Sequence, residues 1–390
     1  MRTSRPFAIL AAALAVAATT LVAPASAQDG EPIKIGAVLS ATGPASFLGD
    51  PEKKTLEMYV DKINDEGGVI GRPIELIVYD DGADANKARS FATRLVEDDE
   101  IVAMIGGSTT GTTMAMAPIF DEYEIPFISL AGAVVIIDPV QAFMFKTPHT
   151  DKMACEKIFE DIQKRGMSKV GLISGTGGFG KSMREQCLAV AGEYGIEIVA
   201  DESYGPSDSD MTPQLTNIKN TEGLEAIVNP GFGQGPAIVT RNVAQLGIDV
   251  PFYQSHGVAS KSFIELAGDA ANGVRLPASA LLVADQLADT DPQKEVVVGY
   301  KTTYEDTTGD PVSTFGGHAY DGLMLLVDAI KRAGSTEPAD IRNALEGTSG
   351  FMGTAGVVNM TSIDHMGLDL TAFRMLEIQD GNWVLIEDGQ

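Results

Sequence analysis

The feature of this sequence that most limits the possible folds is a regular alternation of short apolar runs with longer amphipathic segments. Apolar runs at residues 33–39, 74–79 and 101–106 are each followed by a pattern typical of a helix, and a second series includes runs at 169–174 and 226–229. Strands that alternate with helices in this way predict a parallel β-sheet with helices on both faces. We therefore predict an α/β fold with two consecutive doubly wound, Rossmann-like lobes.

The charge balance limits the kinds of partner. The chain carries 28 basic and 54 acidic side chains, for a formal net charge of −26. Binding to nucleic acid or to an anionic membrane needs a basic surface that neutralises phosphate. We therefore expect no nucleic-acid or membrane-surface partner, and interpret the acidic excess as an aid to solubility.

The first 27 residues have the pattern of a secretory signal peptide. Arg2 and Arg5 precede an apolar, alanine-rich run at residues 7–23, and Ala25-Ser-Ala27 supplies the small residues of a cleavage site. No cysteine lies near that site, so we expect cleavage after Ala27, no lipid anchor, and a periplasmic protein. A membrane anchor is the alternative interpretation of the same run.

The two cysteines of the chain, Cys155 and Cys187, both lie in predicted helices. Export permits a disulfide between them. Because the distance between two helices cannot be derived from sequence, a disulfide and two buried free thiols both remain open.

A glycine-rich segment matches a phosphate-binding motif. Residues 175–182, Gly-Thr-Gly-Gly-Phe-Gly-Lys-Ser, follow a predicted strand and precede a predicted helix, which is the context of a P-loop. One alternative function is therefore an exported nucleotide-binding enzyme. The other interpretation is a glycine-rich turn at the carboxyl edge of a sheet, where ligands of many kinds bind.

A run of hydroxyl side chains suggests a second kind of site. Ser108, Thr109, Thr110, Thr112 and Thr113 lie between a buried strand and a predicted helix. Hydroxyls and free N–H groups at a helix N-terminus bind carboxylates and other anions. One N-cap uses one hydroxyl, so five hydroxyls favour a binding role over simple capping.

The remaining motifs offer no catalytic or metal-binding pattern. The four histidines, at positions 149, 256, 318 and 365, match no metal-ligand spacing, and no nucleophile signature or catalytic carboxylate pair stands out. His256 follows a strand at a carboxyl edge and is the histidine most suited to reach a cleft. His318 is less suited and follows Phe315-Gly-Gly at the start of a helix that the periodicity predicts over residues 320–333. We expect no enzymatic activity, no metal and no cofactor.

Taken together in order, these segments resemble a known family. The signal peptide is followed by IKIGAVLSATGPASFLGD, INDEGGVIGRPIELIVYDDGADANKA, IVAMIGGSTTGTTMAMAPIFDEYEIPFIS, KVGLISGTGGFGKSM and YDGLMLLVDAIKRAGS. This set is similar to the extracytoplasmic solute-binding proteins of branched-chain amino acid ABC transporters. The resemblance implies a type I periplasmic-binding fold, with ligand in a cleft between two lobes joined by a three-crossing hinge.

The resemblance also implies domain boundaries and binding residues. The crossings fall near Pro148, Leu281 and Leu370, giving an N-terminal lobe of residues 28–148 and 281–370 and a C-terminal lobe of residues 149–280 and 371–390. The implied ligand-binding residues come from loops of both lobes, and they are Phe47, Leu48, Ser108, Thr109, Thr110, Ala131, Gly132, Ala133, Phe179, Phe232 and His256.

Two positions depart from the pattern of the amino-acid binders. Ala133 stands where those proteins carry a threonine that helps to hold the ligand's ammonium, and His256 stands in place of an acidic residue. An ammonium without its carboxylate would be a buried, unpaired charge, which costs several kcal/mol. We therefore expect a carboxylate or amide that lacks an α-ammonium.

These inferences converge on a monomeric receptor that delivers a small solute to the permease and ATPase subunits of an ABC importer. The alternatives are the exported P-loop enzyme and a ligand-sensing receptor that does not take part in transport.

Overall fold

The computed structural model describes residues 1–3 and 30–386 of the chain. The expected signal peptide falls almost wholly on residues 4–27, outside the described residues. Among the residues that are described, no helix is both long enough and apolar enough to cross a membrane.

One sheet forms the centre of the first lobe. Its five parallel strands have the order β2-β1-β3-β4-β5. Three helices connect them, and β1, β3 and β4 are almost completely buried, as expected for apolar strands covered on both faces. The elements are β1 (Ile33–Leu39), α1 (Ser46–Asp65), β2 (Ile74–Asp80), α2 (Ala85–Glu97), β3 (Ala103–Gly106), α3 (Thr110–Glu122), β4 (Phe127–Ser129) and β5 (Met144–Lys146).

The second lobe repeats this architecture around its own sheet. Five of its strands are parallel, in the order β10-β9-β8-β6-β7. The elements are α4 (Asp151–Lys164), β6 (Lys169–Gly175), α5 (Gly178–Val190), β7 (Glu197–Tyr204), α6 (Thr212–Lys219), β8 (Ala226–Asn229), α7 (Gln234–Gln245), β9 (Phe252–Gln254), α8 (Lys261–Ala267) and β10 (Arg275–Ala278).

The remaining chain first returns to the first lobe and then completes the second sheet. It forms α9 (Lys294–Thr308), α10 (Thr314–Ala333), α11 (Pro338–Glu346), the short pair β11 (Phe351–Met352) and β12 (Val357–Val358), β13 (Arg374–Gln379) and β14 (Asn382–Leu385). Helix α10 packs against α1, whereas β13 pairs antiparallel with β10 and β14 pairs with β13. The chain therefore passes between the lobes three times, as predicted for this fold class.

Helix α10 begins earlier than the sequence pattern indicated. The pattern placed its start at Tyr320, after Gly316 and Gly317, but the helix starts at Thr314, where the Ser313 hydroxyl accepts a hydrogen bond from the Gly316 N–H. A Cβ at Gly316 would collide with the Tyr300 hydroxyl, so this glycine permits close helix packing and does not end a helix. The early start places His318 and its neighbours at the interlobe cleft.

The structure also settles the state of the cysteines. Cys155 and Cys187 form a disulfide between α4 and α5, with their Cα atoms 5.1 Å apart. The bond joins two helices of the second lobe.

Candidate ligand-binding site

A cavity of about 410 Å³, including its open mouth, lies between the two lobes. Its walls come from loops that follow β3 and β4 on one side and β6, β8 and β9 on the other, together with the first turns of α1 and α10. Carboxyl ends of parallel strands are the usual ligand-binding edge of such sheets. The lining residues are Leu48, Ser108, Thr109, Thr110, Leu130, Ala131, Gly132, Pro148, Phe179, Phe232, His256, Gly257, Phe315 and His318.

Most residues predicted from the sequence lie around this one cavity, and two do not. Phe47 lies outside the lining and contacts Phe232 and Phe315, with ring centroids 6.3 Å and 5.7 Å apart. We call these three rings the aromatic cover. Ala133 is fully buried behind the wall, and its carbonyl lies 3.4 Å from the Lys146 Nζ atom.

The hydroxyl run at the start of α3 contains one side chain that the fold does not use. The Thr109 side chain caps the helix through the Thr112 N–H, at 3.1 Å. Thr113 donates to the Gly107 carbonyl, and Ser108 donates to Glu52. Only Thr110, at the first helical position, keeps a buried hydroxyl without a partner.

The N-terminus of α3 lies beside this hydroxyl. The N–H groups that open a helix have no intrahelical acceptor, and together with the helix dipole they favour an anion. Here they accompany the unpartnered Thr110 hydroxyl at the cavity wall. The arrangement suits a carboxylate.

The glycine-rich segment that resembled a P-loop forms a tight turn. Helix α5 already begins at Gly178, inside the motif, and a Cβ at Gly180 would collide with the Gly175 carbonyl. Next to it, Gly178 approaches the other lobe, because a Cβ built on it would lie 3.6 Å from the Thr110 Cβ.

Two histidines line the cavity from opposite lobes. His256 and His318 are only 7% and 4% exposed, and burial lowers the pKa of each well below the usual value of 6.5. Both imidazoles are therefore neutral near pH 7. Among the residues that the structure describes, neither nitrogen of His256 and not the Nδ1 of His318 has a partner in good hydrogen-bond geometry, although the His149 backbone lies close to the His256 ring.

A buried carboxyl lies behind the wall. The Ser108 hydroxyl accepts from the Ser40 N–H at 2.9 Å and donates to Glu52 at 2.5 Å. Burial raises the pKa of Glu52 to about 8, against the lowering effect of the Ser108 hydrogen bond and with a smaller contribution from the nearby Asp81. Glu52 is therefore largely protonated at pH 7, and no Asp or Glu is among the residues that line the cavity.

One buried basic side chain, Lys146, lies behind the cavity wall. Lys146, at the end of β5, is fully buried, and burial lowers its pKa to about 7 although Asp151 opposes the shift. Its Nζ lies 3.4 Å from the carbonyl of His149, whose ring stacks on Phe373 at 3.9 Å.

In the part of the chain that the structure covers, no group of three or more His, Cys, Asp or Glu side chains is placed to hold a metal ion.

Sequence reasoning missed several lining residues. Leu130, Pro148 and Gly257 adjoin predicted segments, but nothing in their own identity indicated a ligand. Phe315 was missed because it precedes two glycines, and His318, although placed at a helix start, was considered less suited to contact a ligand than His256. A histidine directly after two glycines at a helix start was the available signal.

Comparison with known proteins gives a consistent result. A family model described as "Periplasmic binding protein" matches residues 32–382. The Leucine-, isoleucine-, valine-, threonine-, and alanine-binding protein of Pseudomonas aeruginosa is 23% identical over 315 residues, which cover 80% of this chain and 82% of that protein.

Solved structures are similar over nearly the whole described chain. An extracellular ligand-binding receptor from Rhodopseudomonas palustris HaA2 is 28% identical with a TM-score of 0.84, covering 91% of this chain and 99% of that one. The substrate binding protein of a branched-chain amino acid transporter from Streptococcus pneumoniae, in complex with isoleucine, is 25% identical with a TM-score of 0.79, covering 91% and 100%.

Proposed function

The chain belongs to the periplasmic binding protein family, and from this we propose that it is the substrate-binding component of an ABC importer for a small carboxylate or amide without an α-ammonium group. The family consists of extracytoplasmic solute-binding proteins without enzymatic activity, so the exported P-loop enzyme is not retained. The fold is that of the type I periplasmic binding proteins.

The observation that carries the proposed ligand class is the charge of the cavity wall. It offers the unpartnered Thr110 hydroxyl at the N-terminus of α3, neutral histidines, and no carboxylate side chain. A carboxylate ligand would be hydrogen-bonded and favoured by the helix dipole. An ammonium would be buried without a counter-charge, at a cost of several kcal/mol.

The names of the relatives favour a second candidate. The Pseudomonas aeruginosa protein is named for binding leucine, isoleucine, valine, threonine and alanine, and the Streptococcus pneumoniae protein was solved with isoleucine. The apolar side chains that line the cavity here, such as Leu48, Leu130 and Phe179, would also accept a branched aliphatic side chain. A branched-chain amino acid is therefore the alternative ligand.

The remaining features of the proposal concern location and assembly. We infer that residues 1–27 are a signal peptide cleaved after Ala27, and that the mature chain is a periplasmic monomer that delivers solute to permease and ATPase subunits. We place the lobe boundaries near Pro148, Leu281 and Leu370, which is supported by the change of sheet between β5 and β6 and between β10 and β13.

The test is a thermal-shift screen with four compounds that share one carbon skeleton. Leucine, 2-hydroxy-4-methylpentanoate and 4-methylpentanoate differ only at C2, and 4-methylpentanamide replaces the carboxylate of the last with an amide. A ligand at about 100 times its dissociation constant stabilises the fold by about 2.7 kcal/mol. We expect stabilisation by at least one analogue that lacks the ammonium. Strong stabilisation by leucine alone would favour the amino-acid alternative.

A further inference from the structure

Two imidazoles on the cavity wall carry ring nitrogens to which no described residue makes a hydrogen bond of good geometry. His256 follows β9 of the second lobe, and His318 lies in the first turns of α10, which packs on the first lobe. Each is more than nine-tenths buried, and both line the same cavity. Leaving a buried polar group unpaired costs about 1–3 kcal/mol. Two such groups at one cavity wall indicate that the occupant supplies their partners.

The position of His256 brings its ring into the binding space. A Cβ built on Gly132 would lie 2.7 Å from the His256 Nε2 and 3.0 Å from the Phe179 ring. Gly132 therefore leaves no room for a side chain between its backbone and this nitrogen. Gly178, which precedes Phe179 in the second lobe, lies against Thr110, so Phe179 is a neighbour of both the histidine and the N-terminus of α3.

The character of this wall defines what it can bind. The His256 ring contacts Phe179 and Phe373 edge to face, at centroid distances of 5.3 Å and 5.5 Å. A neutral imidazole carries one N–H donor and one acceptor nitrogen. Neutral rings with donors and acceptors in an apolar setting match a hydroxyl or a carbonyl oxygen better than a second full charge.

We propose that His256 and His318 together bind a second, uncharged polar group of the ligand, so that the solute is a carboxylic acid with an additional hydroxyl or carbonyl oxygen. This inference rests on the proposed function, because it assigns the α3 N-terminus to the carboxylate. It adds a specificity-determining subsite to which each lobe contributes one side chain. Ligand bound there would join the lobes directly.

The experiment compares acids in matched pairs by isothermal titration calorimetry. The probes are 4-methylpentanoate against 2-hydroxy-4-methylpentanoate, and 3-phenylpropanoate against 3-(4-hydroxyphenyl)propanoate, which place the hydroxyl near to and far from the carboxylate. We expect the hydroxylated member of at least one pair to bind about tenfold more tightly or better. Equal affinity within both pairs overturns the proposal.

Variants then assign the preference to the two rings. We expect His256→Leu and His318→Leu each to reduce the affinity ratio between the hydroxylated and the plain acid to about twofold. The plain acid should still bind, which shows that the site is folded. Phe315→Leu is the matched control, since it changes a lining residue without polar atoms and should affect both members equally. A ratio that persists in both histidine variants overturns the assignment, whatever the wild-type preference.

The outcomes separate this inference from the proposed function. If plain and hydroxylated acids bind equally well, the proposed ligand class stands and only the histidine subsite is wrong. If leucine binds and none of the four acids does, the proposed ligand class is wrong and the subsite falls with it.

Discussion

Thr110 is the residue whose chemistry the site depends on most directly. Its hydroxyl is buried at the cavity wall and has no partner in the fold, whereas its neighbours Thr109 and Thr113 are committed to capping and packing. Because this hydroxyl makes no hydrogen bond within the fold, its removal should cost little stability. The main effect of its removal should be weaker ligand binding.

We predict that Thr110→Val weakens binding of the best acid by about 1–3 kcal/mol, because the hydroxyl donates to a charged carboxylate. Calorimetry on the folded variant measures the change. Thr93→Val is the matched control, since the Thr93 hydroxyl is exposed on α2 and bonds only within that helix. Unchanged affinity in Thr110→Val would remove this residue from the site.

Glu52 gives a prediction about pH. Its pKa is about 8 in the fold and 4.5 in an ordinary glutamic acid, so between these pH values the folded chain holds a proton that the unfolded chain releases. This contribution to stability is fully present below pH 4.5 and is lost as pH rises through about 8. Glu52→Gln keeps an acceptor for Ser108 but does not titrate.

We therefore expect Glu52→Gln to gain stability relative to wild type between pH 5 and pH 8.5, by several kcal/mol at most. Urea unfolding of both proteins at the two pH values gives the difference. The same relative stability at both values would mean that Glu52 is not held protonated.

Residue identity singled out the hydroxyl run, three members of which line the cavity, but did not show which hydroxyl has no partner. Ser108 is occupied by Glu52, 56 positions away in the chain, and no local pattern reveals that pairing. The same holds for His256, whose burial follows from packing between Phe179 and Phe373. The sequence therefore indicated the chemical character of these side chains but not which distant residues they contact.

At the scale of elements, the disulfide connects two neighbouring helices of one lobe. Cys155 lies in α4 and Cys187 in α5, 32 positions apart. A cross-link over such a loop lowers the conformational entropy of the unfolded chain. It does not bridge the cleft, so its effect on stability and its effect on binding can be separated.

We predict that replacing both cysteines by serine lowers the free energy of unfolding by about 3–4 kcal/mol and leaves ligand affinity unchanged. Denaturant titration and calorimetry on the same preparation test the two halves. A large loss of affinity would show that the bond also positions the start of α5 at the cavity.

The periodicity of the sequence predicted most elements, and the exceptions have physical causes. Strand β10 was not predicted because it is four residues long and contains Pro277, which demotes a strand pattern. Helix α10 was predicted six residues too short because its glycines signal a break locally but serve packing in the fold. Tertiary contacts decided both cases.

The whole molecule places a small, largely apolar cavity between two lobes that share a strongly acidic chain. Alternating strands and helices predicted the two lobes from the sequence. The return of α9 to α11 to the first lobe did not follow from periodicity, since nothing local tells a helix which sheet it covers. It followed from the family resemblance.

The net charge gives a prediction at this scale. With a formal charge of −26, folded chains concentrate carboxylates that repel one another. Salt shortens the range of this repulsion, from about 30 Å at 0.01 M to about 10 Å at 0.1 M. We expect the melting temperature at pH 8 to rise as sodium chloride increases over this range, and a fall would contradict the prediction.

The aromatic cover has a consequence for how selectivity and affinity are divided. Phe47 of the first lobe and Phe232 of the second contact each other, with ring centroids 6.3 Å apart. Phe47 lies outside the cavity lining, so its contact favours closure of the lobes to the same extent for every solute. Loss of the Phe47 ring would weaken the binding of all solutes by a common factor and leave their rank order intact, whereas changes at the polar wall would reorder them.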